Sequence, residues 1–204
     1  LSAAIASGPD FAIICTPSSQ HVPVATELIS SGIAVLIEKP LHLELDDQVL
    51  RLSELSQKSD AGRLSAMAYC MRYHNAYATA ATELDDGRIG RCLYAKAWFE
   101  GYLPDWHPWE DYRNSYAGRI KLAGGALRTL DHEIDFLNWS LGPSCESVGV
   151  TNNAGGIGIE ADEIAHVISK HASGVTSQIT LALCRKPASR GFEFVGTEGV
   201  LRFD

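Results

Sequence analysis

Several features that would fix a protein's class at a glance are missing from this sequence. No uninterrupted apolar run approaches the roughly 20 residues that span a bilayer, and no basic-then-apolar signal segment opens the chain. No block of Lys or Arg is present, and 17 basic residues against 25 acidic ones leave a charge of −8. That balance argues against nucleic acid as the main partner. The five cysteines, at 15, 70, 92, 145 and 184, are odd in number, widely spread and without a C-x-x-C pair. They suit reduced thiols in a cytoplasm better than a disulfide framework or a zinc site. Zinc-protease spacing of His and Glu is also lacking, so no metal is expected. A glycine-rich phosphate-binding turn is found at no strand-to-helix junction. The nearest match, Gly156-x-Gly158-x-x-Ala161, follows a polar loop and precedes an alternating strand, so it reads as a plain loop. The chain starts on Leu1 rather than Met and stops inside what reads as a strand, Gly199 to Asp204. Both ends are expected to be cuts in a longer chain.

What is present is an ordinary globular composition, 46% hydrophobic and 21% charged over 204 residues. Asp10-Phe-Ala-Ile-Ile-Cys-Thr16 is a continuous apolar run, the mark of a strand covered on both faces. A helix should follow to Gly32, then a second such strand over Ile33 to Ile37, which together make a parallel βαβ unit. A helix over Asp46 to Lys58 and a third strand over Leu64 to Tyr69 complete the first region. The texture then changes. An Ala-rich helix over Asn75 to Leu84 leads to an alternating strand, Cys92 to Tyr102, and a Trp/Tyr-rich loop. A helix from about Gly125 to Leu141 comes next. Strands are expected at Ser147 to Val150, Glu163 to His171, Val175 to Leu183 and Phe192 to Phe203, the last with a turn at Thr197-Glu-Gly199. The fold class is therefore α/β, a partial Rossmann-type parallel βαβ domain over residues 1–72, followed by an α+β domain over 73–204 with a mostly antiparallel sheet.

Four places carry residue types fit for chemistry. Glu38-Lys39-Pro40 ends the second strand, at the edge where open α/β sheets place ligands, and a lysine there can stabilise charge developing on an oxygen. The same residues also fit a solvated ion pair. Thr16-Pro17-Ser-Ser-Gln-His21 ends the first strand and leads to a helix N-terminus, which favours polar and anionic groups, or simply caps the helix. His132 lies on the helix after Gly124-Gly125, with Arg128, Asp131 and Asp135 three or four residues away. It can serve as a general base for an alcohol proton, or be a helix histidine bonded to a neighbouring acid. The loop Tyr102-Leu-Pro-Asp-Trp-His-Pro-Trp-Glu-Asp-Tyr-Arg113 joins aromatic faces to polar tips, which suits a sugar, a polyol or a nicotinamide ring, and equally a packing lid or dimer contact.

The order of these motifs decides between the alternatives. Thr16-Pro17-x-x-x-His21, Glu38-Lys39-Pro40 about 17 residues on, Met71-Arg72-Tyr73-His74, and Gly124-Gly125-x-Leu127 leading to His132-x-x-Asp135 together resemble the Gfo/Idh/MocA family of NAD(P)-dependent oxidoreductases over the whole chain. The resemblance implies a Rossmann domain, a second domain with a large antiparallel sheet, and NAD or NADP as cofactor. It implies cofactor contacts at Thr16, Pro17, His21, Glu38, Lys39, Pro40, Tyr112 and Arg113, with the Lys39-Pro40 peptide cis. Lys39 and His132 are the implied catalytic pair. Candidate substrate contacts are Arg72, Trp106, Arg128 and Asp131. Two departures stand out: Arg128 occupies the place where the family commonly has Asp, four residues before the histidine, and Cys70 the place of an Asn.

The expected activity is hydride transfer between NAD(P) and a carbinol of a sugar, cyclitol or sugar derivative. Two other readings are a binding or assembly module that keeps the fold without catalysis, and redox-assisted glycoside cleavage. A homodimer or homotetramer is implied, and neither membrane nor nucleic acid is expected as partner. With the glycine-rich part of a Rossmann unit absent, these residues by themselves should bind dinucleotide weakly or not at all.

Overall fold

The computed structural model describes residues 1–204. They form two compact units, Leu1–Tyr69 and Cys70–Asp204. No helix in either is long and apolar enough to cross a membrane.

Leu1–Tyr69 begins with a short helix, α1 (Ser2–Ala6), that no periodicity announces. The first apolar run forms β1 (Phe11–Ile14), and after a single 3-10 turn comes α2 (His21–Ser30). Gly32, at φ +82, reverses the chain so that the Ile33 N–H closes onto the Leu28 carbonyl at 3.0 Å. Next come β2 (Ala34–Ile37) and α3 (Asp47–Lys58). Asp46 starts α3, its carboxylate accepting from the Gln48 and Val49 N–H groups at 3.0 and 3.1 Å. The Val49 bond is the main cause of its lowered pKa. After α4 (Asp60–Arg63), the third strand is only β3 (Ala66–Met67), shorter than the expected Leu64 to Tyr69. The reason is local: the Val35 N–H is taken by the Ser65 hydroxyl at 2.9 Å instead of a backbone carbonyl. The three strands are parallel in the order β1-β2-β3. Ile14, Val35 and Ile37 are buried in one cluster with Val22, Ala25, Leu28 and Ile29 of α2 and Leu52 of α3.

Cys70–Asp204 runs through α5 (Asn75–Asp85), β4 (Cys92–Tyr102) and a loop of short 3-10 turns. The single helix expected over Gly125 to Leu141 is two, α6 (Ala126–Thr129) and α7 (His132–Leu141). Leu130 causes the break: it is buried, and its backbone (φ −106, ψ 37) leaves the helical region. Then follow β5 (Ser144–Asn152), β6 (Ile164–His171), β7 (Thr176–Ala182), β8 (Cys184–Gly196) and β9 (Val200–Phe203). β8 starts well before the expected Phe192. Its polar opening is accommodated because Arg185 to Ala188 bulge out opposite Gly101, between the Tyr102–Cys184 and Glu100–Ser189 pairs. Pro187 sits in that bulge, where no ladder donor is required.

The six-stranded sheet has the order β5-β6-β7-β4-β8-β9, antiparallel except for the β4–β7 pair. One face is buried: Ala95, Ala97, Ala165, Leu181, Phe192 and Phe194 share a core with Tyr77 of α5 and Phe136 and Leu137 of α7. The other face alternates polar with apolar residues and leaves Val148, Val150 and Ile168 exposed. The expected architecture, parallel α/β followed by mostly antiparallel α+β, is the one observed.

Candidate functional site

In Leu1–Tyr69 the ladder runs on past β2, since the Glu38 N–H still donates to the Ile14 carbonyl at 2.9 Å. The chain then turns through Lys39 and a cis Lys39-Pro40 peptide, the isomer the resemblance implied. His21, first residue of α2 and 1% exposed, has Nδ1 2.9 Å from the Pro40 carbonyl and Nε2 2.7 Å from the Thr16 carbonyl. One buried ring thus ties the loop after β1 to the loop after β2. The Glu38 carboxylate accepts from the Lys39 N–H at 3.2 Å. Thr16, Pro17, His21, Glu38, Lys39 and Pro40 are brought together at one sheet edge, with His21 turned inward.

The Thr16 hydroxyl is buried there without a hydrogen-bond partner. An orphaned hydroxyl at the carboxyl end of a parallel strand, beside the N-terminus of the ten-residue α2, fits the polar end of a nicotinamide dinucleotide. The residues that would hold it are Thr16, Lys39 and the start of α2. Nothing in Leu1–Tyr69 supplies a glycine-rich cradle for the diphosphate.

In Cys70–Asp204, Gly124 and Gly125 bring the chain to His132. A Cβ at Gly124 would stand 2.5 Å from the Tyr116 carbonyl oxygen, and one at Gly125, whose φ is +104, would stand 2.1 Å from the Asp162 carboxylate. That closeness lets the Asp162 backbone carbonyl accept from the Ala126 N–H at 2.9 Å and its carboxylate from the Leu127 N–H at 3.1 Å, starting α6. His132 opens α7, with Nε2 3.9 Å from Cys70 Sγ.

Two acids of the first turn of α7 are each clamped by an arginine from another part of this unit. Glu133, fully buried, accepts at Oε1 from Arg190 Nε at 2.8 Å and from the Tyr77 hydroxyl at 3.2 Å. Asp135 takes a bidentate pair from Arg72 at 2.8 and 2.6 Å, and the Arg72 guanidinium lies over Trp139 at 5.5 Å. The helix that carries His132 is therefore fixed in rotation at positions one and three residues beyond it. Burial pushes the Glu133 carboxyl up, opposed by Arg190. Burial, then the charge of Glu133, pushes the Tyr77 phenol up to about 12.

The remaining sequence-predicted residues lie as follows. Arg72 is the partner of Asp135. Asp131 caps α7 by position, and Arg128 ends α6. Trp106 is half-buried and stacks on Phe99, rings 6.1 Å apart and 4° from parallel. The Tyr112 hydroxyl donates to the Ile157 carbonyl at 2.8 Å, and the Arg113 guanidinium lies 4.6 Å over the Tyr112 ring and 3.3 Å from Asp111. Aromatic residues of this loop thus serve its own packing as well as any ligand. Gly156 to Gly158, the weak glycine match, point three backbone N–H groups at the fully buried Glu163 carboxylate, at 2.9, 2.9 and 3.2 Å.

Sequence reasoning missed Tyr77, Glu133 and Arg190. The signal was available. Glu133 shares a helical face with Phe136 and Leu137, Tyr77 with Ala80 and Ala81, and Arg190 alternates with Phe192 and Phe194. Two opposite charges at core positions announce a buried pair.

Comparison with known proteins follows the same division. A family model described as the GFO/IDH/MocA C-terminal domain matches residues 77–202, and one described as an oxidoreductase family with an NAD-binding Rossmann fold matches residues 2–61. The chain belongs to the GFO/IDH/MocA family. Among its relatives, a 1,5-anhydro-D-fructose reductase of Ensifer adhaerens is 29% identical over 196 residues, covering 94% of this chain and 56% of the relative. A scyllo-inositol 2-dehydrogenase (NAD(+)) of Bacillus subtilis is 28% identical over 142 residues, covering 69% of this chain and 38% of the relative. The crystal structure of an NAD binding oxidoreductase from Klebsiella pneumoniae has the same fold, with a TM-score of 0.85 at 20% identity, covering 100% of this chain and 56% of that one. This GFO/IDH/MocA chain spans about half the length, or less, of the curated relatives it matches.

Proposed function

We propose that the protein containing this chain is an oxidoreductase that moves a hydride between NAD(P) and a carbinol carbon of a sugar, cyclitol or sugar derivative. The observation that carries the reading is the setting of His132: it opens a helix whose flanking acids, Glu133 and Asp135, are each spent on an arginine. An imidazole ordinarily titrates in the range suited to exchanging an alcohol proton. Kinship with a reductase of an anhydrosugar and a dehydrogenase of an inositol supports a polyhydroxylated substrate.

NAD(P), when bound, supplies the hydride acceptor or donor. The chain's residues do the rest. In the oxidative direction His132 takes the proton of the substrate hydroxyl, while the Lys39 ammonium donates to the same oxygen and stabilises its developing negative charge. In reduction the proton returns from His132 to the carbonyl oxygen. His21 holds the Thr16 and Pro40 loops, and so the position of Lys39. A homodimer or homotetramer in the cytoplasm completes the proposal, supported by the exposed Val148, Val150 and Ile168 and by five cysteines that form no disulfide.

The test is turnover by the full-length protein with NAD+ or NADP+ and a panel of sugars and inositols, read as absorbance of the reduced nicotinamide. His132→Ala and Lys39→Met should each lower kcat/KM by about a hundredfold or more. Unchanged rates in both would remove the assignment. Tight dinucleotide binding with no redox change across the panel would favour a binding module, and release of an aglycone without net reduced cofactor would favour redox-assisted cleavage.

A further inference from the structure

We infer that Arg128 receives an anionic group of the substrate, a carboxylate or a phosphate, so that the sugar or cyclitol taken is a charged one. This inference rests on the proposed role of His132 at the reacting carbinol.

Arg128 stands out among the cations of Cys70–Asp204. The arginines nearest the histidine helix are neutralised, Arg72 by Asp135 and Arg190 by Glu133. Farther off, Arg113 has Asp111 and Arg119 has Glu160. Arg128 is half-buried and makes no ion pair or hydrogen bond. Other cations of this unit without a carboxylate, Arg91, Lys121 and Lys170, are exposed, so water serves them. A half-buried guanidinium has lost part of that water and has gained no protein acceptor in exchange.

Its placement is equally specific. Within residues 126–130, Ala126, Thr129 and Leu130 are buried and Leu127 packs against the core. Arg128 is the one side chain of the stretch that the core does not claim. It lies four residues before His132, and the chain around it is fixed on one side by the Asp162 carboxylate, which accepts from the Leu127 N–H, and on the other by Leu130 in the core. A flexible surface arginine would have no such anchorage.

The chemistry then selects the partner. A carboxylate at this position would accept hydrogen bonds from substrate hydroxyls. A guanidinium has five N–H donors and no acceptor, in a fork that matches two oxygens of a carboxylate or phosphate. The group opposite it must be an acceptor, and an anion satisfies it best. Charge-assisted bonds of this kind correspond to about a 10- to 100-fold preference over a neutral counterpart.

The test uses the full-length protein with dinucleotide present and compares matched ligands by calorimetry: glucose, galactose and mannose, each against its uronic acid and its 6-phosphate. Binding is measured in the wild type, in Arg128→Ala, Arg128→Lys and Arg128→Asp, and in a His132→Asn background where no turnover interferes. The expected result is an anionic member that binds about 10- to 100-fold tighter than its neutral partner, a preference lost in Arg128→Ala and partly kept in Arg128→Lys, with neutral sugars little changed. The uronate and phosphate arms separate the two anions. Equal affinity for neutral and anionic members, no binding of any anionic member, or an equal loss for both in Arg128→Ala would overturn the inference. An anionic preference with no reduced nicotinamide formed would keep the anion site and remove hydride transfer. Turnover without charge preference would do the reverse.

Discussion

In Leu1–Tyr69, Phe11 and Ile13 of β1 stand 61% and 58% exposed, while in Cys70–Asp204, Phe192 and Phe194 of β8 are 2% and 0% exposed. Both sheets bury one face under helices. They differ in how the opposite face is written. The parallel strand reads Phe-Ala-Ile-Ile without a polar residue, as a strand covered on both sides does, whereas in the antiparallel sheet Lys96 and Trp98 alternate with the buried Ala95 and Ala97. The open face of the sheet in Cys70–Asp204 therefore mixes polar residues with the exposed Val148, Val150 and Ile168, whereas Leu1–Tyr69 presents an apolar face, with Phe11, Ile13 and Leu36 on it, that its own residues leave uncovered. A core residue of the larger unit and an equally apolar residue of the smaller one should respond to truncation very differently.

Phe194→Ala should cost about 3–5 kcal/mol, from lost transfer energy and the cavity left behind, measured by urea unfolding. Phe11→Ala should stay within about 0.5 kcal/mol. A Phe11→Ala loss as large as that of Phe194→Ala would break the comparison, because the bare face would then be buried in solution.

The polar interiors sharpen it. Arg190→Met leaves the Glu133 carboxylate buried without its cation and should also cost about 3–5 kcal/mol, whereas Glu133→Leu with Arg190→Met should regain most of that. No recovery in the double variant would mean that the pair does more than satisfy itself. In the smaller unit, His21→Phe removes a hydrogen-bond partner from two backbone carbonyls and should cost about 1–3 kcal/mol. Amide exchange should quicken around Thr16 and Pro40 first, and uniform acceleration across α3 as well would show that His21 supports the whole unit rather than two loops.

The elements with a strong period were legible in the sequence: β1, β2 and α3 by apolar run or helical spacing, and β4 to the residue. The misreadings each have a local physical cause. Ser65 replaces a backbone acceptor with a hydroxyl, so β3 starts only after it. Leu130 gives up helical geometry to reach the core, so one helix becomes two. The polar opening of β8 conceals a strand because the bulge at Arg185 to Ala188 carries its charges outward. For the candidate site, motif order singles out Thr16, Lys39 and His132, but motifs name residues and not their neighbours. That Tyr77, Glu133 and Arg190 occupy core positions shows in the local pattern; which of them bond to one another, over separations of 56 or more residues, does not.

The glycine loop at Gly156 to Gly158 bears on a different question, why some glycine-rich matches bind nothing. Three N–H groups converge there, the arrangement that elsewhere cradles a phosphate. Glu163 fills it from five to seven residues away in the same chain. A tethered carboxylate competes at an effective concentration in the millimolar range or above, and a free phosphate must displace it before making its first bond. The loop's N–H groups are filled from within, and Glu163 so ties the segment that accepts from Tyr112 to the start of β6.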